Sequence, residues 1–313
     1  MLTVFLSALT PAVTMLIYIA VGFFLGKKKL LPESSDKTLS QLLTMLLTPA
    51  TNILTFARYC TVTSLKENTG ILLVSTVVCA AAVGVAYALS GFFSRDSYQK
   101  NIYRYALAFS NSGYMGIPIV TAILGEQGLY LYLLLCIPMN VVIYTWGLYM
   151  LIPQEGGKRF SLKRLLNPCI ISVVIGMVLG LTGIGGKLPP ILMNILQALS
   201  DALGPMAMLL TGLVVAKFEL KTMLKKLPVY VAAFFRLILL PSVFVAALLL
   251  LKVDSMTIKL CLFAYATPLG LNTVVFPAAY GGDPSTGASM ALISHVLCVI
   301  TIPLLYALVS AVI

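Results

Sequence analysis

The chain has 313 residues, of which 60% are apolar and only 10% charged, and its mean hydropathy is +1.01. A water-facing globule of this length carries about 25% charged residues, so the composition excludes an ordinary soluble domain and points to a chain immersed in hydrocarbon. The net charge of +11 does not signal nucleic acid, because the basic residues sit in short segments between apolar runs without interleaved aromatics.

Ten apolar runs approach the ~20 residues that cross a ~30 Å hydrocarbon core. In chain order they cover 4–26, 38–58, 69–93, 102–123, 128–152, 168–186, 190–216, 228–251, 258–280 and 285–312. The first run has no basic segment before it and is followed by Lys27, Lys28 and Lys29, the pattern of a retained span rather than a cleaved leader. The second carries a small polar break at Thr48, Pro49 and Asn52. In the fourth, Ala108-Phe109-Ser110-Asn111-Ser112-Gly113-Tyr114-Met115-Gly116-Ile117-Pro118 puts hydrogen-bonding, glycine and proline residues at mid-span. Asn140 is a further amide in the fifth. Pro205 interrupts the seventh, and the ninth repeats the pattern of the fourth at Thr267, Pro268, Gly270 and Asn272.

Basic residues fix an expected orientation. With the N-terminus outside, Lys27, Lys28, Lys29, Lys37, Arg95, Lys100, Arg104, Lys158, Arg159, Lys163, Arg164, Lys217, Lys221, Lys225 and Lys226 fall on the cytoplasmic side. Only Arg58, Lys66, Lys187, Lys252 and Lys259 then fall outside. This is the positive-inside pattern, and an even number of spans puts both termini outside.

Landmarks recur at an offset near half the chain length. Pro11 answers to Pro168, Thr48-Pro49-Ala50 to Gly204-Pro205-Met206, and Leu124-Gly125-Glu126 to Tyr280-Gly281-Gly282. Five spans per half is odd, so the second half enters the membrane from the opposite side: an all-α, ten-helix 5+5 inverted repeat with a first half at 1–152, a connecting loop at 153–167 and a second half at 168–313. Secondary transporters share this plan, with the site at the repeat interface near the midplane. Gly22-xxx-Gly26 and Gly176-xxx-Gly180 fit close helix contacts, or ordinary glycine enrichment in membrane helices.

The fourth and ninth runs are expected to be broken. Proline removes a backbone donor and clashes with the preceding turn. Backbone groups freed at membrane depth must be buried in protein or line a wet cavity. The N-termini of the resumed half-helices are then natural partners for a carboxylate, beside neutral donors from Ser110, Asn111, Thr267 and Asn272. Asn140 completes such a site or serves as helix glue, and Thr48, Pro49 and Asn52 face the same region or merely kink the scaffold.

Charges at depth are candidates too. Asp201 is either a proton carrier, a partner of Arg236, or a residue in a wet interface. Arg236 offsets an anionic substrate or snorkels to the surface. His295, the single histidine, is a proton relay or, as the commoner role, a hydrogen-bonded core residue. Neither break contains Asp or Glu, so no sodium cage is evident. The six cysteines form no CxxC pair, and no metal-ligand cluster, phosphate-binding glycine loop or nucleophile–base pair is found. No metal, cofactor or enzymatic activity is expected.

The stretches Asn111 to Pro118 with Gly125-Glu126-Gln127-Gly128, Pro268 to Asn272 with Tyr280-Gly281-Gly282-Asp283, and Ile302-Pro303 resemble the auxin efflux carrier family, over essentially the whole chain. The resemblance implies helices four and nine crossing at their prolines, and a scaffold of helices 1, 2, 6 and 7. It also implies a transport domain of helices 3–5 and 8–10, elevator-like motion and a homodimer. It would place Asn111, Asn140 and the crossover around Pro118 and Pro268, with Gly113 and Gly116 of the fourth-run motif, against a substrate carboxylate. The plant members' long central loop has no counterpart, which favours a bacterial inner-membrane permease for malate- or malonate-like acids. Two other readings stand beside it: a cation-coupled carrier like the bile acid:sodium symporters, which share the architecture, and a membrane-embedded receptor.

Overall fold

The computed structural model describes residues 2–151, 168–280 and 282–313; the expected connector at 153–167 and Gly281 of the Tyr280-Gly281-Gly282 landmark lie outside them. The described residues are helical, with no strand element among them. Seven helices are long and apolar enough to span a membrane: Leu2–Lys27, Ser35–Tyr59, Thr69–Phe93, Ser112–Leu151, Pro190–Ala216, Leu227–Leu250 and Ser285–Val312. Pro168–Leu181 and Ser255–Ala266 are shorter apolar helices. The chain is a multi-pass membrane protein.

The first helix illustrates why these sequences pack as they do. It buries Ala8, Ala12, Met15, Ile19 and Gly22 while Leu6, Ile17 and Phe24 stay exposed. Small side chains turned inward let backbones approach, and large apolar ones face outward, as suits a lipid surround. Its close partner is Pro190–Ala216, as Ser35–Tyr59 is of Pro168–Leu181. A β-carbon on Gly22 would run into the Leu209 carbonyl, and one on Gly180 into the carbonyls of Phe56 and Cys60. The two expected Gly-xxx-Gly pairs are therefore contact points.

The expected fourth and ninth spans do not run as continuous helices. The fourth stops at Ala108 and resumes at Ser112; the ninth stops at Ala266 and resumes as Asn272–Tyr280. At Gly125 the Ser112–Leu151 stretch breaks a second time, with φ 69°, ψ −171°, a conformation that glycine adopts without steric cost.

Proline's role differs from the expectation. Pro118 follows the widened turn with which the fourth span resumes at Ser112, so the break precedes the proline. The helices carrying Pro49 and Pro205 do not break at all. Upstream of Pro49, Pro118 and Pro241 lie widened turns at Leu43–Leu47, Ser112–Gly116 and Phe235–Leu239. Each contains the residue four before the proline, whose carbonyl the ring would otherwise strike, and a widened turn relieves that clash. Pro205 is carried without one. A fourth widened turn, Ile143–Gly147, has no proline in that register.

Candidate functional site

The two interruptions meet. Residues 109–111 run antiparallel to 268–270, with Ser110 opposite Leu269. The Asn111 N–H donates to the Pro268 carbonyl at 2.7 Å, and Ser110 Oγ donates to the Ala264 carbonyl at 2.5 Å, at the end of the first ninth-span half-helix. Each extended segment thus satisfies part of the other's backbone, which neither could do facing lipid. The crossing is centred on Ser110 and Leu269 and includes Pro268, whereas Pro118 lies outside it in the resumed helix.

Side chains then fix the crossing. Leu269 N–H donates to Ser294 Oγ at 3.1 Å, and Asn111 Nδ2 lies 3.1 Å from His295 Nε2. Adjacent residues of Ser285–Val312 therefore hold one interruption each. Asn272 Nδ2 donates to Tyr105 OH at 2.7 Å, and Tyr132 OH donates to the Ser112 carbonyl at 3.1 Å. The Tyr132 hydroxyl occupies the space where a side chain on Gly116 would begin, so that glycine permits the contact.

A cavity of about 220 Å³ lies against the crossing, reached by Ser110, Asn111, Gly113, Asn140, Asn272 and Asn52, with Tyr114, Tyr132 and Tyr144. Its apolar wall comes from Ile137, Val141, Val173 and Met177. Among the described residues that line it, none is charged. Asn52 is anchored by donating to the Cys169 carbonyl at 3.1 Å and to Ser172 Oγ at 3.0 Å, so it ties two helices together at the cavity edge.

The sequence-derived residues divide cleanly. Ser110, Asn111, Gly113, Asn140, Asn272 and Asn52 come together at this cavity. Gly116, Thr267 and Pro268 are buried in the crossing rather than on the cavity wall. Pro118 and Pro205 line a second cavity of about 260 Å³, which shares Ile117 with the first. Asp201 is there also, exposed and accepting from Gln197 Nε2 at 3.0 Å. At the rim Arg58 pairs with Glu126, and Tyr59 OH donates to the same carboxylate at 2.8 Å.

Arg236 does not pair with Asp201. It is fully buried, donates Nη1 to the Leu107 carbonyl at 3.3 Å and stacks over the Tyr265 ring at 5.2 Å. Leu107 lies in the last turn of the helix that ends at Ala108, where unpaired carbonyls carry partial negative charge, so the guanidinium compensates that end. Snorkelling is ruled out by its burial. Sequence reasoning passed over Tyr105, Tyr132 and Ser294; their signal was a hydroxyl in the middle of an apolar run, which becomes meaningful only once its partner is located.

A model of the family described as "Membrane transport protein" matches residues 7–306. The chain is 22% identical to the "Uncharacterized transporter YfdV" of Escherichia coli K12 over 97% of both chains, and equally to its counterparts in Escherichia coli O157:H7 and Shigella flexneri. With the match running through both interruptions and nearly end to end, the chain belongs to the membrane transport protein family, the auxin efflux carrier family.

Proposed function

We propose that this transporter is a secondary carrier of a small organic anion, a malate- or malonate-like carboxylate, working by elevator-type alternating access. One observation carries the reading: two interrupted helices cross at Ser110 and Leu269 beside a cavity furnished with four asparagines. Neutral amides and the N–H groups of the resumed helices suit a carboxylate, since donors held in a water-poor site stabilise negative charge without needing a fixed cation.

In this reading the chain crosses a bacterial inner membrane ten times, as two inverted five-helix halves with both termini outside. The interrupted helices are crossings four and nine. Crossings 1, 2, 6 and 7 form the scaffold, and 3–5 with 8–10 the moving body, in a homodimer within the bilayer. The packing of Leu2–Lys27 on Pro190–Ala216 and of Ser35–Tyr59 on Pro168–Leu181 supports that grouping, as does the packing of Leu227–Leu250 on Ser255–Ala266. Two inverted halves supply inward- and outward-open states of similar energy.

The test is a thermal-shift screen of purified protein against small carboxylates, followed by exchange of the labelled acid across proteoliposomes. Stabilisation and exchange are expected in the wild type. Asn111→Ala should lose about tenfold or more in exchange, in line with one or two lost charge-assisted hydrogen bonds of ~1.5–3 kcal/mol each. Absence of both stabilisation and exchange for every acid would overturn the assignment.

A further inference from the structure

The imidazole of His295 is buried, with 1% of its surface exposed, directly behind Asn111. Its Nδ1 lies 2.7 Å from the Ala291 carbonyl, one turn back on the same helix. A carbonyl only accepts, so Nδ1 carries the hydrogen. In the neutral ring Nε2 is then the acceptor, and Asn111 Nδ2, 3.1 Å away, is its donor. One N–H of the Asn111 amide is then taken by the ring, leaving a single N–H beside the amide oxygen, which repels a carboxylate.

Adding a proton to Nε2 reverses this. The imidazolium is a donor at both nitrogens, so Asn111 must rotate its amide to accept through Oδ1, which turns the NH2 toward the cavity. The same proton places a full positive charge one residue behind a cavity wall that carries none. Building on the carboxylate-carrier reading, we infer that His295 is a positioning residue that couples anion binding at Asn111 to the uptake of one proton. The species carried is then the carboxylate with a proton, taken from solution on one side and returned on the other.

The surroundings of the ring fit this role. Among the described residues of the helices packed against Ser285–Val312, the carboxylates are Asp201, exposed and held by Gln197, and Glu126, held by Arg58 and Tyr59. No fixed acid therefore neutralises an imidazolium there, and the counter-charge comes from the bound anion. The other buried titratable groups on these elements are Cys298 and Tyr306 on the same helix, Cys261 and Tyr265 on Ser255–Ala266, Tyr103 and Tyr105 on Ser97–Ala108, Tyr130, Tyr132 and Cys136 on Ser112–Leu151, and Arg236. Arg236 is engaged by the Leu107 carbonyl and the Tyr265 ring. Ser294 adds the mechanical link: the same helical turn that reads the proton holds the other interruption through Leu269.

Isothermal titration of the purified protein with malate, malonate, oxalate and lactate, in buffers of different ionisation enthalpy between about pH 6 and about pH 8, tests the coupling. The wild type should take up about one proton per anion bound, and affinity should fall up to about tenfold per pH unit as pH rises. His295→Gln keeps an acceptor for Asn111 but cannot take a proton, so it should bind with a flat pH profile and no proton uptake. Binding by the wild type without proton uptake overturns the inference whatever the variant does, and so does proton uptake that persists in His295→Gln. Binding of none of the acids overturns the carrier reading and this inference together, an outcome distinct from proton-free binding.

Discussion

Tyr105 and Asn272 stand 167 residues apart, one on each interrupted helix, joined by a 2.7 Å hydrogen bond from Asn272 Nδ2 to the Tyr105 hydroxyl. Asn272 opens the resumed helix and lines the cavity, so this bond decides how its amide is presented. Tyr105→Phe removes the acceptor and little else. We expect carboxylate affinity to fall about five- to tenfold, matching one net hydrogen bond of ~1 kcal/mol, with the melting temperature nearly unchanged. Unaltered affinity would show that the amide is oriented by something else.

Gly212 tests the close approach of the first and seventh expected spans. A β-carbon there would collide with the Ile19 carbonyl and the Phe23 N–H, both backbone groups with no room to rotate away. Gly212→Ala should therefore destabilise by about 1–3 kcal/mol, read as a lower melting temperature in detergent. Gly84, with nothing within 4 Å of a β-carbon, is the control. Gly84→Ala should be neutral or stabilising by up to about 1 kcal/mol, because alanine is the better helix former.

The Arg58–Glu126 pair is partly exposed, at 32% and 40% of the side chains. A double-mutant cycle with Arg58→Ala and Glu126→Gln should give a coupling energy of only about 0.2–1 kcal/mol, smaller at high salt. Arg58 belongs to the helix Ser35–Tyr59 and Glu126 to the limb after Gly125, which the elevator reading assigns to scaffold and moving body. If they separate in each stroke, Glu126→Gln should speed labelled-acid exchange by about twofold. A slower exchange would argue that the pair stays closed throughout.

Reporter fusions address orientation. A periplasm-active reporter at either terminus should be active, and a cytoplasm-active one silent, because basic residues such as Lys27–Lys29 and Lys217–Lys226 are retained inside. Opposite activities at the two termini would require an odd number of crossings and would remove the inverted repeat.

The sequence alone determined that this chain lives in a membrane, and it located both interruptions to within a few residues. Hydropathy depends on composition, and Asn111, Gly113, Pro268 and Asn272 are poor helix material wherever they are placed. Tertiary structure decided the rest. Pro118 and Pro205 looked like breaks, but a proline's effect depends on whether the turn before it can widen and on what packs around it. His295 was indistinguishable from a core histidine until the fold set it 3.1 Å from Asn111, 184 positions away. A polar side chain at membrane depth must find a partner. The sequence states that need, and only the crossing of the two broken helices determines which residue meets it.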